Sequence, residues 1–297
     1  LGAILVANDA AYEYYNFSQA AADKYIALIN RAGAKLDGVA TVYDLLAPTS
    51  MDIMLDPAIR KDIRSADQEK AKNYIFGSLD SRVKAGDVFA TLREHNSEYL
   101  YFRTDHHWTA TGAYYAYTQF AAAKGVAVPA LTDYPTQVFE GFLGSFYSKT
   151  GKSAALGNHP DTVYAYKPLY PTTMQYTDRN GAKHSWPVIS NVTNWASSSK
   201  YSTFIGGDNP FTEIKNTSLS DGSSCVVVKE SYGNAFVPFL VSHYQTVYVI
   251  DYRYYTGNLI SFVKENKVQD VIFVNNMSAT RSAGLVGNMD KLVGSGG

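Results

Sequence analysis

Ser231 and the pair Asp105 and His107 are the residues of this 297-residue chain whose types and settings best suit covalent chemistry. Ser231 stands in Lys229-Glu230-Ser231-Tyr232-Gly233-Asn234, directly after the apolar run Cys225-Val226-Val227-Val228. A hydroxyl at such a strand-to-helix turn gains from the free N–H groups at the helix start, which can hold an oxyanion. Asp105 and His107 are two residues apart in Thr104-Asp105-His106-His107-Trp108-Thr109, so an extended or turn conformation can put both on one side. The carboxylate would orient the imidazole and the imidazole would take the serine proton, the arrangement of a Ser-His-Asp acyl-transfer site. His106 would then point away, as a structural residue or a substrate contact. The candidate oxyanion donors are the Tyr232 backbone N–H and an amide from Asn275 or Asn276, at the end of the last apolar strand.

Each of these residues has a plainer use. Serine is a leading N-cap residue, so Ser231 could simply start a helix. Asp105 and Thr109 could be helix-entry residues between packed imidazoles, and Asn275-Asn276 a turn pair. Asp-x-His also offers two metal ligands, with a third from His95, His159, His184 or His243, but no spacing typical of a metal site is present and none is expected to be bound. The serine segment is not the G-x-S-x-G elbow.

The elements that must position these groups follow an α/β rhythm. Residues 1–15 read as two short strands around Asn8-Asp9, and 18–33 as a helix with Ser18 as N-cap and Gly33 past its end. A strand from Val39 to Leu46 closes at Pro48-Thr49-Ser50, a helix fits Ser65–Leu79, Asp87-Val88-Phe89 reads as a short strand, and 90–98 as helical. Tyr99-Leu100-Tyr101-Phe102 leads into the Asp-His-His segment, and Thr109 caps a helix to Lys124 that Gly125 ends. From about 150 to 220, short extended runs between turn signals suggest a β-rich insertion within a single domain. The end returns to strand, helix, strand, helix, strand from Ser224 to Val274. This alternation predicts a largely parallel sheet. The Gly-Ser tail at 294–297 reads as a flexible end or a cloning remnant.

Bulk properties narrow the partners. A net charge of −1 leaves no basic footprint for nucleic acid. The 24 tyrosines and 14 phenylalanines favour contact with sugars, because Tyr is an amphipathic surface. The single cysteine, Cys225, excludes an internal disulfide and sits among valines as a buried, inert thiol. No apolar run approaches the roughly 20 residues that span a bilayer. The chain begins without Met, and a signal or anchor is expected to precede Leu1 in the natural protein.

These stretches resemble the DHHW-type proteins of Gram-positive bacteria, which are related to the periplasmic alginate O-acetyltransferases of the SGNH-hydrolase superfamily. The likeness is carried by the Ile4 to Tyr14 hairpin, Leu46-Ala47-Pro48-Thr49-Ser50, the segment from Tyr101 to Thr109, Gly141-Phe142-Leu143-Gly144-Ser145, Gly206-Gly207-Asp208 and the run from Val227 to Asn234. It implies a three-layer α/β/α, flavodoxin-like SGNH fold with an Asp-x-His plus Ser triad on Asp105, His107 and Ser231. Because the Asp/His segment precedes the serine, the motif order would be circularly permuted, with Asp251-Tyr252-Arg253 as the second block and Asn275 or Asn276 in the third. Glu230 departs from the aspartate usual before the serine. Substrate contacts would come from Arg103, His106, Trp108 and Arg253, and from the aromatic surface that includes Tyr232 and Trp195.

The expectation is an extracytoplasmic, serine-dependent O-acetyltransferase or acetylesterase of a cell-envelope polysaccharide. It would need no cofactor, and its acetyl donor would come from a membrane-bound O-acyltransferase partner. The competing readings are a non-catalytic envelope protein that binds glycan in the same cleft, and a metal-dependent hydrolase centred on Asp105, His106 and His107.

Overall fold

The apolar run before Ser231 becomes the centre of the molecule. In a computed structural model that describes residues 1–294, the strands in chain order are β1 (Ile4–Ala7), β2 (Ala10–Glu13), β3 (Thr41–Ala47), β4 (Val83–Gly86), β5 (Thr136–Phe142), β6 (Asp161–Tyr166), β7 (Thr172–Thr177), β8 (Lys183–Ser185), β9 (Phe211–Asn216), β10 (Ser224–Lys229), β11 (Thr246–Asp251) and β12 (Asp270–Asn276). All but Gly294 of the Gly-Ser tail lies outside the described residues.

The central sheet runs β4-β3-β12-β10-β11-β9-β7-β8. Its first five strands are parallel. Along β10, Val226 and Val228 pack with Val271 and Phe273 on one face, while Cys225 and Val227 pack with Ile272 and Val274 on the other. Both faces are covered, which is why the strand reads as a continuous apolar run with no alternation. The helices Gln19–Lys35, Leu259–Glu265 and Ala283–Val293 close the first face through Tyr25, Leu28, Val263 and Met289. The helices Ala110–Lys124 and Gly233–Leu240 close the second through Tyr117, Phe120, Phe236 and Phe239. The result is a mixed α/β protein with a central mixed sheet. Burial pushes the Cys225 thiol well above its ordinary range, so it is packed and unreactive.

Two expectations need correction. The sheet is less parallel than the alternation predicts, because β9 pairs antiparallel with β11, β7 with β9 and β8 with β7. Much of the 150–220 stretch therefore continues the central sheet, where it covers the edge that β11 would otherwise expose. Within that stretch β6 instead pairs with β5 in a separate two-stranded sheet, as β1 and β2 do at the start of the chain. Second, Asp87-Val88-Phe89 is not a strand: the Asp87 side chain accepts the N–H groups of Phe89 and Ala90 and starts the helix Val88–Glu94. The cap outweighs the β preference of Val and Phe.

Elsewhere local signals hold. Thr109 accepts the Gly112 N–H at the start of its helix, and Gly125 ends it in the left-handed region at φ 80°. Among the described residues, no helix is long and apolar enough to cross a membrane.

Candidate active site

Ser231 lies just beyond the C-terminal end of β10, between that strand and its helix Gly233–Leu240. Asn275 and Asn276 end β12, the parallel neighbour of β10. Gly233 lets the turn close, since a Cβ there would meet the Lys229 side chain at 2.5 Å. The Asp-His-His segment reaches the same place from 124 residues earlier in the chain. It is a closed loop, pinned at its base by Phe102 N–H to His107 O at 3.2 Å and Thr109 N–H to Leu100 O at 2.8 Å.

The three residues meet. His107 Nδ1 is 2.6 Å from Asp105 Oδ1, and His107 Nε2 is 2.7 Å from Ser231 Oγ. An ionised carboxylate only accepts, so Nδ1 carries the imidazole proton and Nε2 accepts from the hydroxyl. Asp105 is itself fixed: its Oδ1 accepts the His107 N–H at 3.0 Å and its Oδ2 accepts the Ser145 N–H at 2.7 Å. Gly144 allows that approach, because a Cβ there would fall 2.3 Å from the carboxylate. Tyr201 stacks flat on His107, with ring centroids 4.0 Å apart and planes 9° apart, and donates its hydroxyl to Ser231 O at 2.9 Å.

Electrostatics sort the two imidazoles. Burial and the charge of neighbouring His106 hold His107 below its ordinary value, and Asp105 does not fully reverse this. Burial also opposes a proton on His106, but Asp105, Glu230 and Glu13 outweigh it and raise that imidazole. Burial would raise the Asp105 carboxyl, yet the two imidazoles pull it well below the usual carboxylate range. Near neutral pH the group is therefore a carboxylate, a neutral imidazole and a hydroxyl.

Glu230 is the unexpected member. Its Oε1 accepts the Asn276 backbone N–H at 2.9 Å, and its Oε2 accepts the Tyr232 N–H at 3.1 Å and lies 3.2 Å from Ser231 Oγ. The one hydroxyl hydrogen thus has two acceptors in reach, and the shorter contact favours His107.

The remaining residues divide. His106 lines the roughly 520 Å³ cavity over Ser231, with Asn276, Arg253 and Tyr232. Its Nδ1 contacts Ser145 Oγ at 2.7 Å. Arg253 pairs with Asp251 and with Asp208, the latter at 2.9 Å. Asn276 turns its Nδ2 toward the carbonyls of Ala47 and Pro48, both at 3.4 Å. Five expectations fail in this geometry. Asn275 is fully buried and points its amide away, to the Tyr25 hydroxyl and Met289, because alternation on β12 sends 275 and 276 to opposite faces. The Tyr232 N–H is occupied by Glu230. Trp108 is wholly buried and donates to Tyr232 O at 2.9 Å, so it braces the serine turn and cannot meet substrate. Arg103 lines a different cavity, where it pairs with Asp9. Trp195 is exposed and does not line the Ser231 cavity.

Beneath the serine turn lies a charged cluster. Lys229 is buried between Asp251 at 2.9 Å and Asp208 at 3.3 Å. Asp208 also accepts from Asn234 Nδ2 at 2.9 Å, and its carboxyl, which burial would raise, is driven down by Lys229 and Arg253. It arrives on Ile205-Gly206-Gly207, where Ile205 holds φ at 48°, a costly value for a β-branched residue. Replacing Lys229 with Met would strand Asp251 beside Arg253 alone. We expect a loss of about 3–5 kcal/mol in urea unfolding, the scale seen when one partner of a buried ion pair is removed. A charge at the end of the valine run, and an acid after two glycines, were the available signals for this cluster. Tyr201, 30 residues from Ser231, carried none.

Asp105, His106 and His107 also offer one ligand atom each within 4.8 Å of one another. Those atoms are engaged with each other, with Ser145 and with Ser231.

Comparison with known proteins places these residues in a family. A structure of a DHHW family protein from Eubacterium siraeum shares 28% identity and a TM-score of 0.85, over 96% of each chain. Bacillus cereus PatB1, solved with a sulfonyl adduct, shares 19% identity and a TM-score of 0.80, over 95% of this chain and 97% of that one. The O-acetyltransferase domain of Pseudomonas putida AlgJ shares 13% identity and a TM-score of 0.51, over 96% of this chain and 98% of that one. No protein of curated function matches the sequence. The family model described as DHHW protein matches residues 1–250, and the chain belongs to the DHHW family.

Proposed function

We propose that this protein is a serine-dependent O-acyltransferase, or the corresponding esterase, that moves acetyl groups on a cell-envelope polysaccharide. The observation that carries the proposal is the unbroken line Asp105–His107–Ser231, with links of 2.6 and 2.7 Å, whose last member lines a cavity. Ser231 Oγ attacks the acetyl carbonyl while its proton passes to His107 Nε2. The donor oxygen then leaves with that proton, and an acetyl-serine remains. A sugar hydroxyl, or water, reverses these steps as His107 takes and returns a proton. Asn276 is the side-chain amide at this end of the sheet that would donate to the oxyanion once its Nδ2 leaves the Ala47 and Pro48 carbonyls, and the Tyr232 N–H would join it once the Glu230 carboxylate moves aside.

Strand order supports the permuted SGNH reading. Numbered from β10, the five parallel strands fall in the order 2-1-3-4-5, that of a flavodoxin-type sheet, and the site lies at the β10/β12 switch point. In this reading residues 1–294 form one catalytic domain, to which the 150–220 stretch is added. Likeness to the AlgJ domain supports acetyl transfer, and the PatB1 adduct fits a fold that carries an activated hydroxyl, the usual target of sulfonyl reagents. The protein then works outside the cytoplasm, without a cofactor, and takes its acetyl group from a donor that a membrane-bound acyltransferase delivers.

Intact-mass spectrometry after incubation with p-nitrophenyl acetate tests the chemistry. A transient acetyl adduct that maps to Ser231 is expected; turnover with the adduct on another residue would overturn the assignment. The pH profile is a second check. Only neutral His107 can accept the serine proton, so the rate should rise with pH and level off. Because His107 is held below its ordinary 6.5, the midpoint of the limb is expected below pH 6.5.

A further inference from the structure

We propose that a second cavity, of about 550 Å³, is a saccharide subsite that holds an uncharged segment of the glycan away from the reacting sugar. The proposal takes its ligand class from the polysaccharide reading above. The cavity shares no lining residue with the one over Ser231, yet the same two segments build both. Strand β2 gives Tyr12 to this cavity and leads into Glu13 in the other, and the Asp-His-His loop gives Arg103 here and His106 there. Its size is that of ligand pockets in general, about 300–1,000 Å³.

Its walls are aromatic and its polar rim is already engaged. Tyr164 is 39% exposed and meets half-buried Tyr99 edge to face, with centroids 6.5 Å apart. A sugar ring can lay its C–H face on such a surface while its hydroxyls bond the polar rim. On that rim Arg103 pairs with Asp9 at 3.0 Å, and Glu98 accepts from the Tyr115 hydroxyl at 2.8 Å. Two carboxylates against one guanidinium leave the rim with one net negative charge, which disfavours an anionic sugar and leaves a neutral one. A second observation points to a ligand. Ser50, only 2% exposed, lines this cavity, and among the described residues its Oγ has no hydrogen-bond partner. A buried hydroxyl left in this state costs free energy that a sugar hydroxyl would recover after a small shift of the wall brings the Oγ to the cavity surface.

The subsite is also wired to the reacting loop. Asp161 is fully buried; its Oδ1 accepts from the Tyr99 hydroxyl and the Arg103 N–H, and its Oδ2 accepts from the N–H and hydroxyl of Thr104 at 2.7 and 2.6 Å. One carboxylate thus joins the wall of the subsite to the residue before Asp105.

The test titrates cellopentaose and chitopentaose into the Ser231→Ala protein by calorimetry, alone and combined with Tyr164→Ala, Tyr164→Phe or Ser50→Ala. Saturable binding of at least one sugar is expected, weakened tenfold or more by Tyr164→Ala and kept within about twofold by Tyr164→Phe. Absence of binding by both sugars would overturn the proposal, as would binding indifferent to both Tyr164→Ala and Ser50→Ala. Tyr164-dependent binding in a protein that forms no acetyl-serine would sustain the subsite while the acetyl-transfer reading failed.

Discussion

Ser231→Ala is expected to remove the acetyl adduct and to lower turnover of p-nitrophenyl acetate by at least about 10⁴-fold, the scale of nucleophile loss in hydrolases that use a triad. The substitution deletes one oxygen at a position 7% exposed. That oxygen contacts His107 at 2.7 Å and Glu230 at 3.2 Å, and neither contact supports the sheet. The serine turn keeps its other ties, Trp108 to Tyr232 O and Tyr201 to Ser231 O. Thermal stability should therefore change little while chemistry stops. A variant that keeps wild-type turnover would reject Ser231 as nucleophile, and a large fall in melting temperature would recast it as a structural residue.

Asp105→Asn has the second largest expected effect, a fall of about 10⁴-fold in kcat. The neutral amide can present its NH₂ to His107 Nδ1, which then favours the tautomer with the proton on Nε2, where it cannot accept from Ser231. Oδ2 holds the Ser145 N–H at 2.7 Å and Oδ1 holds the His107 N–H at 3.0 Å, so both positions ask for an acceptor; the shorter Ser145 contact is expected to keep the amide oxygen, which leaves the nitrogen on the His107 side. That backbone contact turns a conservative change into a tautomer switch. Asp105→Ala should lose less from tautomer choice and more from stability, because the buried Ser145 and His107 donors would lose their partner. Comparison of the pH profiles separates the two. In the Asn variant the limb set by His107 should vanish or move, whereas a purely structural defect would scale the rate without altering the profile.

The candidate residues were legible because each stands at a visible junction. Ser231 stands three residues past the apolar run Cys225-Val226-Val227-Val228 and two before Gly233, and Thr109 closes the Asp-His-His segment with a cap that the structure retains. What failed were inferences about direction. Asn275 and Asn276 look alike in sequence, but the pleat of β12 gives them to opposite faces, and only 276 reaches the cavity. Trp108 and Arg103 flank the same motif, yet one ends in the core and the other in a second cavity. The strands between 172 and 216 read as a lobe because their partner, β11, comes later in the chain.

The sequence by itself determined the local chemistry: which residues could donate, accept or attack, and which short segments would begin or end a helix. These properties depend on side-chain type and on neighbours a few residues away. The tertiary structure alone decided that His107 and Ser231, 124 residues apart, lie 2.7 Å from one another, that Glu230 folds back on the Tyr232 and Asn276 N–H groups, and that Tyr201 stacks on the imidazole. Those contacts join the C-terminal ends of β10 and β12 to two segments outside the sheet, the Asp-His-His loop and the 3-10 turn that carries Tyr201, and the register of the strands is set by packing on both faces of β10.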